Sequence, residues 1–219
     1  MLASQIIYTT YPILRLEDKV TFALQLMDDY DVMHLPVKSE DRFMGMVSKS
    51  DLFDIDEFAA IGELQDFFVN KFVNHSEHLL KVLKTASDNN LSLVPIIDNE
   101  FKIIGCISMP EILNAINNYL GNEEPGGIVV VEVERRNFSI GELSRLVETN
   151  DAQIIQLNTT IEPKSGLIIV TFKINKIEIS DIISTLQRYD YSIRHFFGEE
   201  QYNNELRENY DNLLAFLKV

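Results

Sequence analysis

The chain repeats itself, and that repeat constrains its fold more than any other feature. Residues 34–52 read HLPVKSEDRFMGMVSKSDL, and residues 93–112 read LVPIIDNEFKIIGCISMPEI. Pro36 matches Pro95 at an offset of 59, while Gly45, Ser48 and Asp51 match Gly105, Ser108 and Glu111 at an offset of 60, so one inserted residue separates the copies. Upstream, VTFALQLMDDY (20–30) is echoed by LLKVLKTASDN (79–89). Self-similarity of this kind marks a duplicated supersecondary unit. Each copy predicts strand, helix, strand, strand, helix. In the first, Val20, Ala23, Leu24 and Met27 share one helix face, and Leu35, Val37 and residues 43–47 supply two strands. One sheet of that size cannot bury its apolar face alone. Two copies face to face can, and such pairs commonly assemble again into dimers.

The stretch Gly45-Met46-Val47-Ser48-Lys49-Ser50-Asp51 is glycine, two apolar residues, a hydroxyl residue, two free positions and an acid. With His34-Leu35-Pro36-Val37 ahead of it and Thr9-Thr10-Tyr11-Pro12-Ile13 leading in, residues 1–120 resemble a tandem pair of CBS domains, a Bateman module. The resemblance implies an adenosine-binding motif in the first copy. A carboxylate accepts hydrogen bonds from both ribose hydroxyls, as acids do in dinucleotide folds. A hydroxyl and free backbone N–H groups at a helix start suit a phosphate. Asp51 is therefore assigned to the ribose and Ser48 and Lys49 to the phosphate. Thr9, Ile13, Met46 and Val47 are assigned to the base, with Pro36 lining the pocket.

A plainer reading explains the same residues, because Ser48-x-x-Asp51 and Ser108-x-x-Glu111 are close to capping boxes. The second copy departs from the pattern. Glu111 stands for Asp, Pro110 precedes it, and the lead-in Asn70-Lys71-Phe72-Val73 lacks a proline corresponding to Pro12. The expectation is one good nucleotide site per chain, with Ser108 and Glu111 marking a degenerate second one.

The domain expectations are residues 1–57 and 58–120 for the repeats, 121–127 as a linker rich in Gly, Pro and Glu, 128–198 as a second domain, and 199–219 as a C-terminal helix. In the second domain, residues 128–133 are β-branched except for Glu132, a run that predicts a buried strand. Residues 140–147 and 177–186 predict helices, and 152–161, 167–174 and 191–197 predict strands. The order βαββαβ is ferredoxin-like. It is similar to an ACT domain, a module that pairs through its sheets and binds amino acids at the interface. Gly141 and Leu143 fit that family's turn, Asn137 stands near its acidic position, and Ile140 replaces its proline. At the C-terminus, Tyr202, Leu206, Tyr210, Leu213 and Leu217 recur at helical spacing, an amphipathic helix.

The fold class expected is thus α/β and α+β: a CBS pair, then an ACT-like domain and a helix. Together they resemble the acetoin-utilisation AcuB-type regulatory proteins of bacteria. That implies a non-catalytic regulatory protein sensing AMP, ADP or ATP, a homodimer acting on an unidentified protein and requiring no cofactor. The alternatives are an interaction scaffold with a vestigial nucleotide site, or an amino-acid sensor at the ACT-like interface.

Charge and motif content point the same way. Nineteen Lys+Arg against 34 Asp+Glu give a net charge of −15, unsuited to nucleic acid or an anionic membrane. No run reaches the roughly 18 apolar residues of a membrane helix, and the start lacks a basic leader, so the expected location is cytoplasmic. Cys106, the one cysteine, sits in an apolar run and reads as a small buried residue. His75-Ser76-Glu77-His78 lacks further ligands for a metal and reads as the polar start of a helix. No P-loop, Gly-x-Ser-x-Gly or Gly-x-Gly-x-x-Gly occurs, and no enzyme is expected.

Overall fold

A computed structural model describes residues 1–8 and 10–198. Thr9 and the C-terminal segment 199–219, with its expected helix, lie outside the described residues. The chain divides into two compact units, Met1–Tyr119 and Leu120–Val219.

In the first unit both repeats have the same order. The first runs β1 (Leu14–Arg15), α1 (Val20–Asp29), β2 (His34–Ser39), β3 (Arg42–Ser48) and α2 (Lys49–Leu52). The second runs β4 (Val73–Asn74), α3 (Leu79–Asn89), β5 (Leu93–Ile97), β6 (Ile103–Ser108) and α4 (Met109–Tyr119). Each forms a three-stranded sheet, ordered β1-β2-β3 and β4-β5-β6. The registers coincide: Val37 faces Gly45 and Ile96 faces Gly105, and each pairing is irregular one step further on. Val20, Ala23 and Met27 of α1 are buried, as the helical spacing predicts. Helix α3 stops at Asn90, which adopts the left-handed conformation that Asn tolerates.

The repeats are also laced together. Tyr8 exchanges backbone hydrogen bonds with Cys106 of β6, at 3.0 and 3.1 Å. Val69, leading into the second repeat, exchanges bonds with Met46 of β3, at 3.0 and 2.9 Å. Each lead-in therefore extends the other repeat's sheet. The motif glycines permit this close approach. A Cβ on Gly45 would stand 2.7 Å from the Phe68 Cβ, and one on Gly105 would stand 2.3 Å from the Ile7 Cγ2. One buried cluster includes Leu35, Val37 and Met46 with Leu93, Ile96 and Ile107, so the two repeats share a core. Phe72 also sits edge-on to both Phe43 and Phe101, at 5.7 Å each.

The second unit contains β7 (Gly127–Val133), α5 (Ile140–Glu148), β8 (Ile154–Ile161), β9 (Ile168–Ile174), α6 (Ser180–Arg188) and β10 (Ser192–Phe197). Its sheet is antiparallel with order β10-β7-β9-β8, the ferredoxin-like βαββαβ arrangement. Two expectations need correction. Strand β7 is not buried throughout: Val129 and Val131 are sealed, whereas Ile128 is 36% exposed. Leu143, Leu146 and Val147 of α5 and Ile182, Ile183 and Leu186 of α6 share the buried cluster of Val129 and Val131, with Val170, Phe172 and Ile174 of β9. The second helix also begins at Ser180 rather than 177, because the Lys176 carbonyl accepts the Gly127 N–H and holds that segment to the sheet.

Among the described residues, no helix is long and apolar enough to cross a membrane, and no cluster of three or more His, Cys, Asp or Glu is placed to hold a metal.

Candidate functional site

Ser48 ends β3 and caps α2. Its Oγ accepts the Asp51 N–H at 3.2 Å and donates to Asp51 Oδ2 at 2.6 Å, with Ser50 Oγ 2.7 Å away. The cap foreseen from the spacing is thus present. Asp51 is nevertheless exposed, and its Oδ1 has no hydrogen-bond partner among the described residues. Lys49 carries its ammonium back to Asp28 in the last turn of α1, forming an ion pair. Ser48 and Asp51 are therefore in direct contact, while Lys49, on the same short helix, turns its cation to Asp28.

The residues expected at the base sit differently. Met46 and Val47 are 0% and 1% exposed and Pro36 is buried, so their side chains belong to the core, where the shared sheet interior demands apolar groups. Ile13 is half-buried just before β1. The crossed lead-ins supply a further correction. The segment around Tyr8 borders β6 and the second motif, while Val69 borders β3 and the first. Tyr8 and Tyr11 of the first lead-in therefore meet the second motif, through Cys106 and Glu111. Pairing between repeats is a tertiary outcome that no local spacing encodes.

At the second motif, Ser108 N–H donates to Glu111 Oε2 at 2.6 Å, and the Tyr11 hydroxyl donates to Oε1 at 3.3 Å. Ser108 is buried beside them. Burial, with the Glu111 carboxylate adding to it, raises the Tyr11 hydroxyl above its ordinary range and keeps it a proton donor. Cys106 lies on the same strand, its thiol pushed up to about 12 by burial, which leaves it inert as a nucleophile.

Between the motifs lies a contact the sequence did not reveal. The Ser92 N–H donates to His34 Nδ1 at 3.2 Å, Ser92 Oγ lies 3.2 Å from the same nitrogen, and Met33 N–H donates to Ser92 Oγ at 2.8 Å. Accepting a backbone N–H requires an unprotonated Nδ1. Burial lowers the His34 pKa, with the Asp51 charge opposing. Because the unfolded chain then binds the extra proton more readily, this contact stabilises fully above about pH 6.5 and is lost as pH falls below it. We expect His34→Asn, whose amide oxygen can accept the same N–H, to flatten the fall in thermal midpoint between pH 7.5 and 5.5. An unchanged slope would remove His34 from the acid response.

In the second unit, Asn137 lines a cleft of about 430 Å³ with Glu132, Glu134, Glu142, Asp190 and Tyr191. Tyr191 donates to Glu142 at 3.2 Å, and burial beside that carboxylate pushes its hydroxyl up to about 12. Gly141 is exposed, a Cβ there meeting the Ser139 Oγ at 3.9 Å, while Leu143 is sealed in the core. Of the three expected turn residues, only Asn137 reaches the cleft.

The CBS domain family model matches residues 3–57 and 68–118, so the first unit carries two CBS domains in tandem. Among solved structures, a CBS domain pair/ACT domain protein from Thermotoga maritima is similar, with TM-score 0.51 and 22% identity over 55% of this chain and 99% of that one, which shows a shared fold. A CBS-pair protein from Arabidopsis thaliana has TM-score 0.46 and 18% identity, covering 54% of this chain and 95% of that one. Among curated proteins, homoserine O-acetyltransferase of Methanosalsum zhilinae is 33% identical over 102 residues, 44% of this chain. That match spans a fifth (20%) of the transferase's length.

Proposed function

We propose that this chain is a non-catalytic regulatory protein that senses an adenine nucleotide through its first CBS motif. The observation that carries the reading is Asp51, an exposed carboxylate fixed by Ser48 and with Oδ1 unengaged among the described residues, while Lys49, two positions earlier on the same helix, pairs with Asp28. The free oxygen suits ribose hydroxyls. Lys49 and the serines suit a phosphate, which would compete with Asp28 for the ammonium. The non-catalytic reading rests on the reactive side chains being committed elsewhere: His34 Nδ1 accepts a backbone N–H, and the Cys106 thiol is buried. By its architecture the protein is of the AcuB-type regulatory kind, acting as a cytoplasmic homodimer on another protein.

Thermal unfolding against AMP, ADP and ATP tests this. A ligand at 100 times its dissociation constant adds about 2.7 kcal/mol. Asp51→Ala is expected to weaken binding at least about 100-fold, since each hydrogen bond to a carboxylate contributes about 1.5–3 kcal/mol. If no nucleotide shifts the wild-type protein, the sensor reading falls and an interaction scaffold replaces it.

The acidic cleft in the second unit supports a second reading, an amine-bearing ligand such as an amino acid. Its volume of about 430 Å³ falls in the range of small-molecule pockets. That reading requires an amino-acid shift that survives Asp51→Ala.

A further inference from the structure

The two motifs present their carboxylates in different states. Asp51 keeps one oxygen open, whereas both oxygens of Glu111 are engaged from within the protein, by Ser108 N–H and by the Tyr11 hydroxyl. The difference originates in the lead-ins. Five residues (9–13) separate Tyr8, bonded to β6, from Leu14 of β1, whereas three (70–72) separate Val69, bonded to β3, from Val73 of β4. The longer connection carries Tyr11 to the start of α4. There its ring packs against Tyr30, with centroids 6.3 Å apart and planes tilted 53°. Tyr30 follows the end of α1, so the ring is held on one side by that helix while its hydroxyl reaches Glu111 on the other.

We propose that Tyr11 closes the second motif by standing in for a ligand's ribose hydroxyl at Glu111, leaving one nucleotide site per chain. The chemistry of the two donors matches, because an O–H presented to a carboxylate oxygen is what a ribose would bring. The ring itself takes up space next to that carboxylate. The bond is long at 3.3 Å, so the closure depends on the ring's packing as much as on the hydroxyl. The inference rests on the nucleotide reading of the first motif, and its test separates the two.

The experiment counts AMP bound per full-length chain by calorimetry and equilibrium dialysis, for wild type, Tyr11→Ala, Asp51→Ala and the double variant. One site is expected in wild type, two in Tyr11→Ala, none in Asp51→Ala, and one in the double variant. Tyr11→Phe keeps the ring and drops only the hydroxyl, so it tests the closure without opening a cavity, and a second, weaker site is expected there. A folded Tyr11→Ala that still binds one AMP overturns the closure while leaving the sensor reading intact, and so does a wild-type chain that binds two. A wild-type chain that binds none, with none gained in Tyr11→Ala, overturns both. A purely structural role for Tyr11 lowers the melting temperature and leaves the count at one.

Discussion

Phe172→Ala is expected to cost about 3–5 kcal/mol, the range for removing a buried aromatic ring, against a total stability of about 5–15 kcal/mol. Phe172 sits mid-strand on β9 with no exposed surface, and its strand pairs with β7 on one side and β8 on the other, facing Val129 and Leu157. Val129, Leu143, Leu146, Ile182 and Leu186, all in the same buried cluster, come from three different elements. No single side chain can swing in to fill the space. Those neighbours are themselves anchored in a sheet and two helices, so the cavity persists rather than collapsing. Urea unfolding is expected to lose that amount of free energy. Hydrogen exchange at the β7 and β9 amides should accelerate by about two to four orders of magnitude where it proceeds through unfolding of the unit. A loss under about 1 kcal/mol would show that the site repacks and that the sheet depends less on its central ring.

Much of this architecture was written in the sequence, and the reasons differ by element. The repeat was visible because its markers are residues with narrow roles. Gly45 and Gly105 sit where another strand crosses too closely for a Cβ, and Ser48 caps a helix. The βαββαβ order was visible because α5 and α6 each keep one apolar stripe, Leu143, Leu146 and Val147 in one and Ile182, Ile183 and Leu186 in the other. Local pattern could not tell which face of β7 would be covered. Ile128 and Val130 are as apolar as Val129 and Val131, and only the placement of both helices on one side separates them. The site was half legible. Ser48 and Asp51 meet because a helix cap spans three residues, and Lys49 between them turns instead to Asp28. Met46 and Val47 are just as near in sequence but alternate into the core. Tyr11 and Glu111 meet across 100 residues through crossed lead-ins, and His34 meets Ser92 across 58. Unequal lead-in lengths were the one available sign of the first of these contacts, and it gains meaning only once the crossing is known.

That crossing is itself open to attack at one atom. Gly105→Val is expected to destabilise the first unit by about 2–5 kcal/mol, combining overpacking with loss of two backbone hydrogen bonds. The new Cβ would lie 2.3 Å from Ile7 Cγ2 and 3.0 Å from the Tyr8 carbonyl oxygen. Ile7 is β-branched and part of the core's margin, and the Tyr8 oxygen is backbone already bonded to Cys106. Neither can yield by a simple rotamer change, so the lead-in must lift off β6. Gly45→Val meets the Cβ of Phe68 at 2.7 Å and is expected to do the same to the other crossing. The two variants then differ in a diagnostic way. Lifting residues 7–8 also withdraws Tyr11 from Glu111, so Gly105→Val should gain access to the second motif as it loses stability. Gly45→Val should instead disturb the strand that ends at Ser48 and weaken nucleotide binding at the first. Thermal midpoints and AMP counts on the folded fraction of both variants distinguish these outcomes. Equal effects of the two on AMP binding would mean that the lead-ins lace the repeats together without shaping either motif.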